Sequence, residues 1–401
     1  MNICITSHDM VPLYICGIKR VSSHLAKKWA EICNVCFITF SPLDHQIKEI
    51  NGIPQYHFPN PQNILANENV DYFNTFIKEH EIDIILHQHS ENREFTELCI
   101  RVSQNENIKL VTILHFAITH KNDTAKKAMF IKHKLGTSPI AWIKDAIFFL
   151  KYHLCIKYRN TREDRFLYRN LIENSSRLVL LSPTFIPILS KQLKLTNSEL
   201  KKITAISNPI EIQEYEITEK KKRVLWCGRV EYGMKRVDRM LEIWKTIAPR
   251  HSDWELCILG SGNIDYFRKL AEHHKIPNVH FTGFCNPYDF YKDSSILCMT
   301  SSTEGWGMVL VEAQMFGCVP IAYNSYSSLG EIITDGVNGY KIPAFNKQKF
   351  TERLEWLMGN DNERLQIAQE CQKSTAKFNI DIIAKKWMEL FKELKNEKIS
   401  I

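Results

Sequence analysis

Two carboxylates, Glu304 and Glu312, stand eight positions apart in the run Glu304-Gly-Trp-Gly-Met-Val-Leu-Val-Glu312. The residues before them, Ser295-Ile-Leu-Cys-Met-Thr300, are apolar and β-branched and predict a buried strand. Met308 to Phe316 predicts a helix, with Gly317 as its stop. The spacing therefore puts Glu304 on the loop at the strand's carboxyl end and Glu312 about one turn into the helix. Ligands of open α/β sheets bind at that edge. Amides at the helix start attract an anion, and Gly305 and Gly307, on either side of Trp306, let a ligand approach the backbone. A phosphate held there would leave one carboxylate for each of two neighbouring polyols, the outline of a nucleotide-sugar site. The plainer alternative is a solvated loop acid and a dipole-favouring acid near a helix start; the flanking residues favour the first reading.

Cations stand at a second strand end. Val224-Leu-Trp-Cys-Gly228-Arg229 closes a predicted strand, and Lys235 follows before the next helix. Arg229 and Lys235 are placed to neutralise a pyrophosphate, each charge-assisted hydrogen bond contributing ~1.5–3 kcal/mol. Leu259-Gly260-Ser-Gly262 reads as a tight turn beside the same edge; the third glycine of a dinucleotide fingerprint is missing, which argues against an NAD site. Phe281-Thr-Gly283-Phe284 closes another strand, and Phe284 serves either a nucleobase or core packing. No two aspartates are separated by one residue, so the Asp-x-Asp metal clamp is absent. Diphosphate charge then falls to Arg229, Lys235 and the helix start near Gly307, without a metal or other cofactor.

These groups need a scaffold. A chain of 401 residues implies two domains rather than one core. Strands are expected at Ile3–Thr6, Val35–Phe40, Ile82–Gln88, Leu110–Phe116, Arg177–Ser182 and Ile203–Ser207. The second half repeats the plan at Val224–Gly228, Trp254–Gly260, Val279–Phe284, Ser295–Thr300 and Val319–Tyr323, with helices such as Val237–Ile247, Tyr266–His274 and Phe350–Met358 between them. Alternation in both halves predicts an α/β protein of two doubly wound, Rossmann-like domains. Residues 1–208 form the first domain and 209–375 the second, and the charged run Glu219-Lys-Lys-Lys222 reads as a solvated linker. Residues 376–401 carry a helical face at Ile383, Trp387, Leu390, Phe391 and Leu394.

The apolar fraction of 44% and charged fraction of 24% are ordinary globular values. There is no basic and apolar leader and no uninterrupted apolar run of about 18 residues, so the expected location is cytoplasmic. Most of the 12 cysteines lie in apolar runs, Cys4, Cys227, Cys257 and Cys298 among them, and read as small buried hydrophobes. Cys33-Asn-Val-Cys36 lacks the second pair a zinc site needs. From Lys121 to Arg165 eleven basic residues face four acids, which equals the formal net charge of +7. No nucleic-acid-binding motif accompanies that excess. Its aromatics and lysines around Ala141–Tyr158 fit either contact with an anionic membrane or an amphipathic helix on the core.

Gly228-Arg229, Lys235, the Gly-x-Gly turn, Phe-Thr-Gly-Phe and Glu304-x7-Glu312 together resemble the signature series of family 4 glycosyltransferases, from about Lys222 to Pro343. The resemblance implies a GT-B fold, two domains facing a central cleft, and transfer with retention of anomeric configuration. By position, it implies that Glu304 bonds donor-sugar hydroxyls, Glu312 chelates the ribose diol, and Arg229 and Lys235 hold the pyrophosphate. The amides of Gly307 and Met308 would support sugar and phosphate. Gly17 would match the glycine loop that approaches the donor phosphates, and His115, ending the strand Leu110–Phe116, the residue facing the donor sugar. The terminal helix around Trp387 would cross back onto the first domain. Two departures stand out: Cys16 precedes Gly17 where a second glycine is frequent, and Arg236 follows Lys235 where glycine is common. The implied partners are a nucleotide-sugar donor, UDP-linked by family frequency, and a glycan or lipid-linked glycan acceptor in surface-polysaccharide synthesis. The rival reading is a catalytically silent binding or scaffold subunit.

Overall fold

The computed structural model describes residues 1–10, 17–41, 47–118 and 157–397. Most of the basic stretch, including Ala141–Tyr158 up to residue 156, and Cys16 lie outside the described residues. The chain divides into two compact units. The first comprises Met1–Phe116, Glu163–Glu211 and Phe378–Ile401; the described part of the second lies chiefly in Ile212–Lys377.

The first unit is built on eight strands: β1 (Asn2–Ser7), β2 (Asn34–Thr39), β3 (Glu49–Ile50), β4 (Ile53–His57), β5 (Ile84–His87), β6 (Lys109–Leu114), β7 (Arg177–Leu180) and β8 (Ile203–Ala205). Their order is β3-β4-β2-β1-β5-β6-β7-β8, parallel throughout except for the antiparallel β3–β4 pair. The strands are apolar on both faces because helices cover both sides. The β3–β4 hairpin is absent from the sequence expectations. Its turn is Asn51-Gly52 with φ of 52° and 79°, the left-handed pair that lets a two-residue loop follow strand twist.

The helix Ile380–Asn396 packs within this unit on the helix Gly17–Trp29. Trp29 meets Trp387 and Phe391 edge-on, with ring centroids 5.9 and 5.3 Å apart, and its indole N–H reaches the Ala384 carbonyl at 3.4 Å. Arg177 adds contacts to Glu393 and Glu397 at 2.8 and 2.9 Å.

The second unit carries β9 (Lys221–Cys227), β10 (Glu255–Leu259), β11 (Val279–Gly283), β12 (Ser294–Met299), β13 (Val319–Asn324) and β14 (Tyr340–Pro343). All pair in parallel in the order β11-β10-β9-β12-β13-β14. Its core includes Trp226, Trp244, Phe267 and Phe350.

The run Glu219–Lys222 is solvated at Glu219, Lys221 and Lys222 but not at Lys220, and it is linker only up to Lys220. Lys221 and Lys222 open β9, and Lys220 donates to the carbonyls of Tyr291, Lys292 and Phe316 at 3.0, 2.7 and 2.6 Å. These carbonyls end the helices Pro287–Asp293 and Met308–Met315, where helices lack internal donors and a cation is favourable. Burial lowers the pKa of Lys220.

Candidate functional site

In a doubly wound sheet the crevice opens where strand order reverses. In the second unit that point lies between β9 and β12. Gly228 and Arg229 follow β9, and Ser301 to Gly307 follow β12, so topology alone brings the cations and Glu304 to one edge.

The loop 229–236 is then laced to the loop after β12. The Ser302 amide donates to the Met234 carbonyl at 2.7 Å, and the Thr300 hydroxyl to the Arg236 carbonyl at 2.9 Å. The Trp226 indole donates to the Thr300 hydroxyl at 3.0 Å. Arg236 has a left-handed backbone, φ 54°, which explains why glycine suits that position. Its side chain is buried and forks onto the equally buried Asp238 at 2.6 and 2.8 Å.

That lacing lays Lys235 across Glu304. The ammonium reaches both carboxylate oxygens, at 2.7 and 2.9 Å, and the Ser301 hydroxyl donates to the same carboxylate at 2.6 Å. The Ser325 hydroxyl bonds the Ser301 carbonyl at 2.9 Å, so β13's loop braces the arrangement. Arg229 is exposed and has no ion pair among the described residues.

Gly307 precedes the helix Met308–Met315 with φ 101°. A Cβ there would meet the Tyr326 hydroxyl oxygen at 2.9 Å. Trp306 is buried, and the Gly305 carbonyl accepts from the Ser328 hydroxyl at 3.2 Å. Glu312 is buried further along the helix and accepts from the Tyr291 hydroxyl at 3.2 Å.

Three glycines line up across the neighbouring strand ends. The Gly228 amide donates to the Leu259 carbonyl at 3.0 Å and the Gly260 amide to the Gly283 carbonyl at 2.9 Å. A Cβ on Gly260 would fall 1.9 Å from the Gly228 carbonyl oxygen, and one on Gly262 2.6 Å from the Val230 oxygen. The Gly-x-Gly turn therefore lets two backbones pack. Around Gly283 there is open space within 4 Å, but its φ of 76° favours glycine. Phe284 is half exposed.

In the first unit the order reverses between β1 and β5, and a second polar cluster occupies that edge. Gly17 starts the helix Gly17–Trp29 and is exposed. Lys19 pairs with Asp9 at 2.5 Å. His89 sits between the Ser7 hydroxyl, 3.2 Å from Nε2, and Glu91, 3.0 Å from Nδ1. Burial is the largest influence on Glu91 and opposes its ionisation, but the hydrogen bond and charge of His89, a backbone hydrogen bond and the charge of His115 together outweigh it, so the carboxyl pKa is lowered. β6 stops at Leu114, so His115 is the first loop residue rather than the strand end. Its Nε2 lies 2.7 Å from Gln88 Oε1, and burial lowers its pKa to about 4.

Sequence reasoning missed Ser301, Tyr291, Gln88, His89 and Glu91. The signal for the last three was their position immediately after β5, the same strand-end rule that found Glu304. Ser301, directly after β12, carried that signal too, whereas Tyr291, within a helix, carried none.

Residues 207–374 match the family model described as "Glycosyl transferases group 1". The amylovoran biosynthesis glycosyltransferase AmsD of Erwinia amylovora is 30% identical over 43% of this chain. The match covers 48% of AmsD, so the chain spans about half that relative's length. An undecaprenol-linked glycan α-1,4-N-acetyl-D-galactosaminyltransferase of Campylobacter jejuni is 23% identical over 80% of this chain and 93% of its own. Among solved structures, Anabaena HepE in complex with UDP superposes with a TM-score of 0.72, covering 98% of this chain and all of HepE at 15% identity. The fold is thus α/β with two parallel-sheet, Rossmann-like units, of the GT-B kind.

Proposed function

We propose that the chain is a retaining glycosyltransferase that moves a sugar from a nucleoside-diphosphate sugar, UDP-linked, to a lipid-linked glycan acceptor in surface-polysaccharide synthesis. The carrying observation is the cation–carboxylate set Arg229, Lys235 and Glu304 at the switch point of the second unit, with a helix start beside it. The polysaccharide glycosyltransferases that this chain resembles, and the UDP complex of HepE, support the substrate class.

In this reading Arg229, Lys235 and the amides at Gly307 and Met308 take up the charge that grows on the departing diphosphate. Fixed donors of this kind typically contribute ~10²–10³ in rate each. Glu304 orients the donor sugar through its hydroxyls, Glu312 serves the ribose diol, and His115 faces the donor sugar. Gly17 approaches the phosphates; Gly228, Gly262 and Gly283 shape the edge, and Phe284 flanks the base. The departing phosphate takes the acceptor proton, so no protein nucleophile is assigned. The cations at this edge make a metal unnecessary for neutralising the leaving group. The protein works on the cytoplasmic membrane face, near its lipid-linked acceptor.

A thermal-shift screen against UDP, GDP and their sugars tests the donor. Stabilisation by UDP and a UDP-sugar, lost in Arg229→Ala, is expected; equal indifference to all nucleotides contradicts the proposal.

A further inference from the structure

Gln88 leaves β5 and His115 leaves β6, the adjacent strand, so both reach the same edge of the first unit. The Gln88 side chain is buried and its Oε1 stands 2.7 Å from His115 Nε2. An amide oxygen only accepts, so the ring hydrogen in this contact belongs to Nε2. Burial disfavours the imidazolium, whose pKa is lowered to about 4. At neutral pH the ring then carries one hydrogen, and Nδ1 keeps its lone pair. No described residue hydrogen-bonds to Nδ1.

We propose that Gln88 is a positioning residue that locks His115 in its Nε2–H form, so that Nδ1 is offered as an acceptor to a hydroxyl of the donor sugar. The inference rests on the reading of His115 as the residue facing that sugar. The chemistry explains an amide in place of a carboxylate at position 88. Both would accept from Nε2–H, but a carboxylate would also favour the doubly protonated ring, which has no acceptor nitrogen left. Among the described residues, the other charged or titratable groups at this edge are Glu91 and His89 on the loop after β5, His87 within β5, and His8 and the Asp9–Lys19 pair after β1.

Imidazole NMR of the isotope-labelled full chain reads the tautomer without turnover. The wild type should show the hydrogen on Nε2 of His115. Gln88→Leu should populate the Nδ1–H form, and Gln88→Glu should restore Nε2–H. Release of UDP from UDP-glucose and UDP-N-acetylglucosamine should fall about tenfold in kcat in Gln88→Leu, the effect of one lost hydrogen bond. In Gln88→Glu it should recover at mildly alkaline pH and fade as the ring charges. A wild-type ring protonated on Nδ1, or an unchanged tautomer in Gln88→Leu, overturns the proposal. A wild type that releases no UDP from either donor contradicts the transfer reading instead, while the spectra still decide the role of Gln88.

Discussion

Lys235 and Glu304 form a two-pronged ion pair, 2.7 and 2.9 Å from the ammonium to the two carboxylate oxygens. The residues assigned to phosphate and to sugar are thus each other's partners. Both are largely sheltered, with side-chain exposures of 24% and 11%. A diphosphate that takes Lys235 removes Glu304's counter-ion, leaving a carboxylate oriented by Ser301 to receive sugar hydroxyls. On the proposed reading, binding one half of the donor at this pair prepares the site for the other.

This relationship predicts opposite effects of two substitutions. Lys235→Met should weaken UDP binding by about 1.5–3 kcal/mol, the worth of a charge-assisted hydrogen bond. Glu304→Gln should leave UDP affinity equal or higher, because Lys235 is released, yet lower sugar transfer ~10²–10³-fold. Calorimetry with UDP and a transfer assay on both variants separate the effects.

Backbone packing predicts a ranking among glycines. Gly260→Ala must push the Gly228 carbonyl away from a Cβ at 1.9 Å, moving the strand end that carries Arg229. Gly283→Ala meets open space and bears only its left-handed backbone, a penalty of about 1–3 kcal/mol. Denaturation curves should show Gly260→Ala as the more destabilised, with UDP binding lost as well.

The strand-end rule made much of the site legible. Val237–Ile247 matches its helix residue for residue, and Glu304, Arg229 and Lys235 fall on one sheet edge as expected. What periodicity did not reveal was pairing. Nothing in the spacing of Lys235 and Glu304 shows that they bond each other, since that depends on the left-handed turn at Arg236 and the Ser302–Met234 contact. Lys220 misled because a charged run reads as solvated, whereas one ammonium can satisfy three helix-end carbonyls. The β3–β4 hairpin was missed although Asn51-Gly52 signalled its turn, because β3 has only two residues and Pro54 interrupts β4's pattern.

Two histidines, His87 buried and His115 partly buried, predict how stability depends on acid. Burial lowers His87 to about 3 and His115 to about 4. Above about pH 7.5 the rings are neutral folded or unfolded, and neither contributes. As pH falls from there toward about 4, the unfolded chain binds protons first, so stability drops, by roughly 2 kcal/mol per ring at about pH 5. His87→Gln should lose about half of that acid-dependent drop in Tm; an unchanged pH slope would contradict the assignment.

The terminal helix predicts a packing effect remote from the site. Trp387 is buried against Trp29 and Phe391. Trp387→Ala should destabilise the first unit by about 3–5 kcal/mol. UDP binding, assigned to the second unit, should survive at temperatures where the variant remains folded. Urea denaturation followed by tryptophan fluorescence checks the first part and calorimetry the second.

The central claim is that a nucleoside diphosphate is held at the β9–β12 edge by Arg229 and Lys235. Isothermal titration of UDP into the wild type and an Arg229→Ala, Lys235→Ala double variant addresses it most directly. Saturable one-to-one binding is expected in the wild type and its loss in the double variant, whose thermal unfolding should stay within a few degrees of wild type. Binding of equal strength in both proteins, or no binding of UDP or GDP to the wild type, would contradict it.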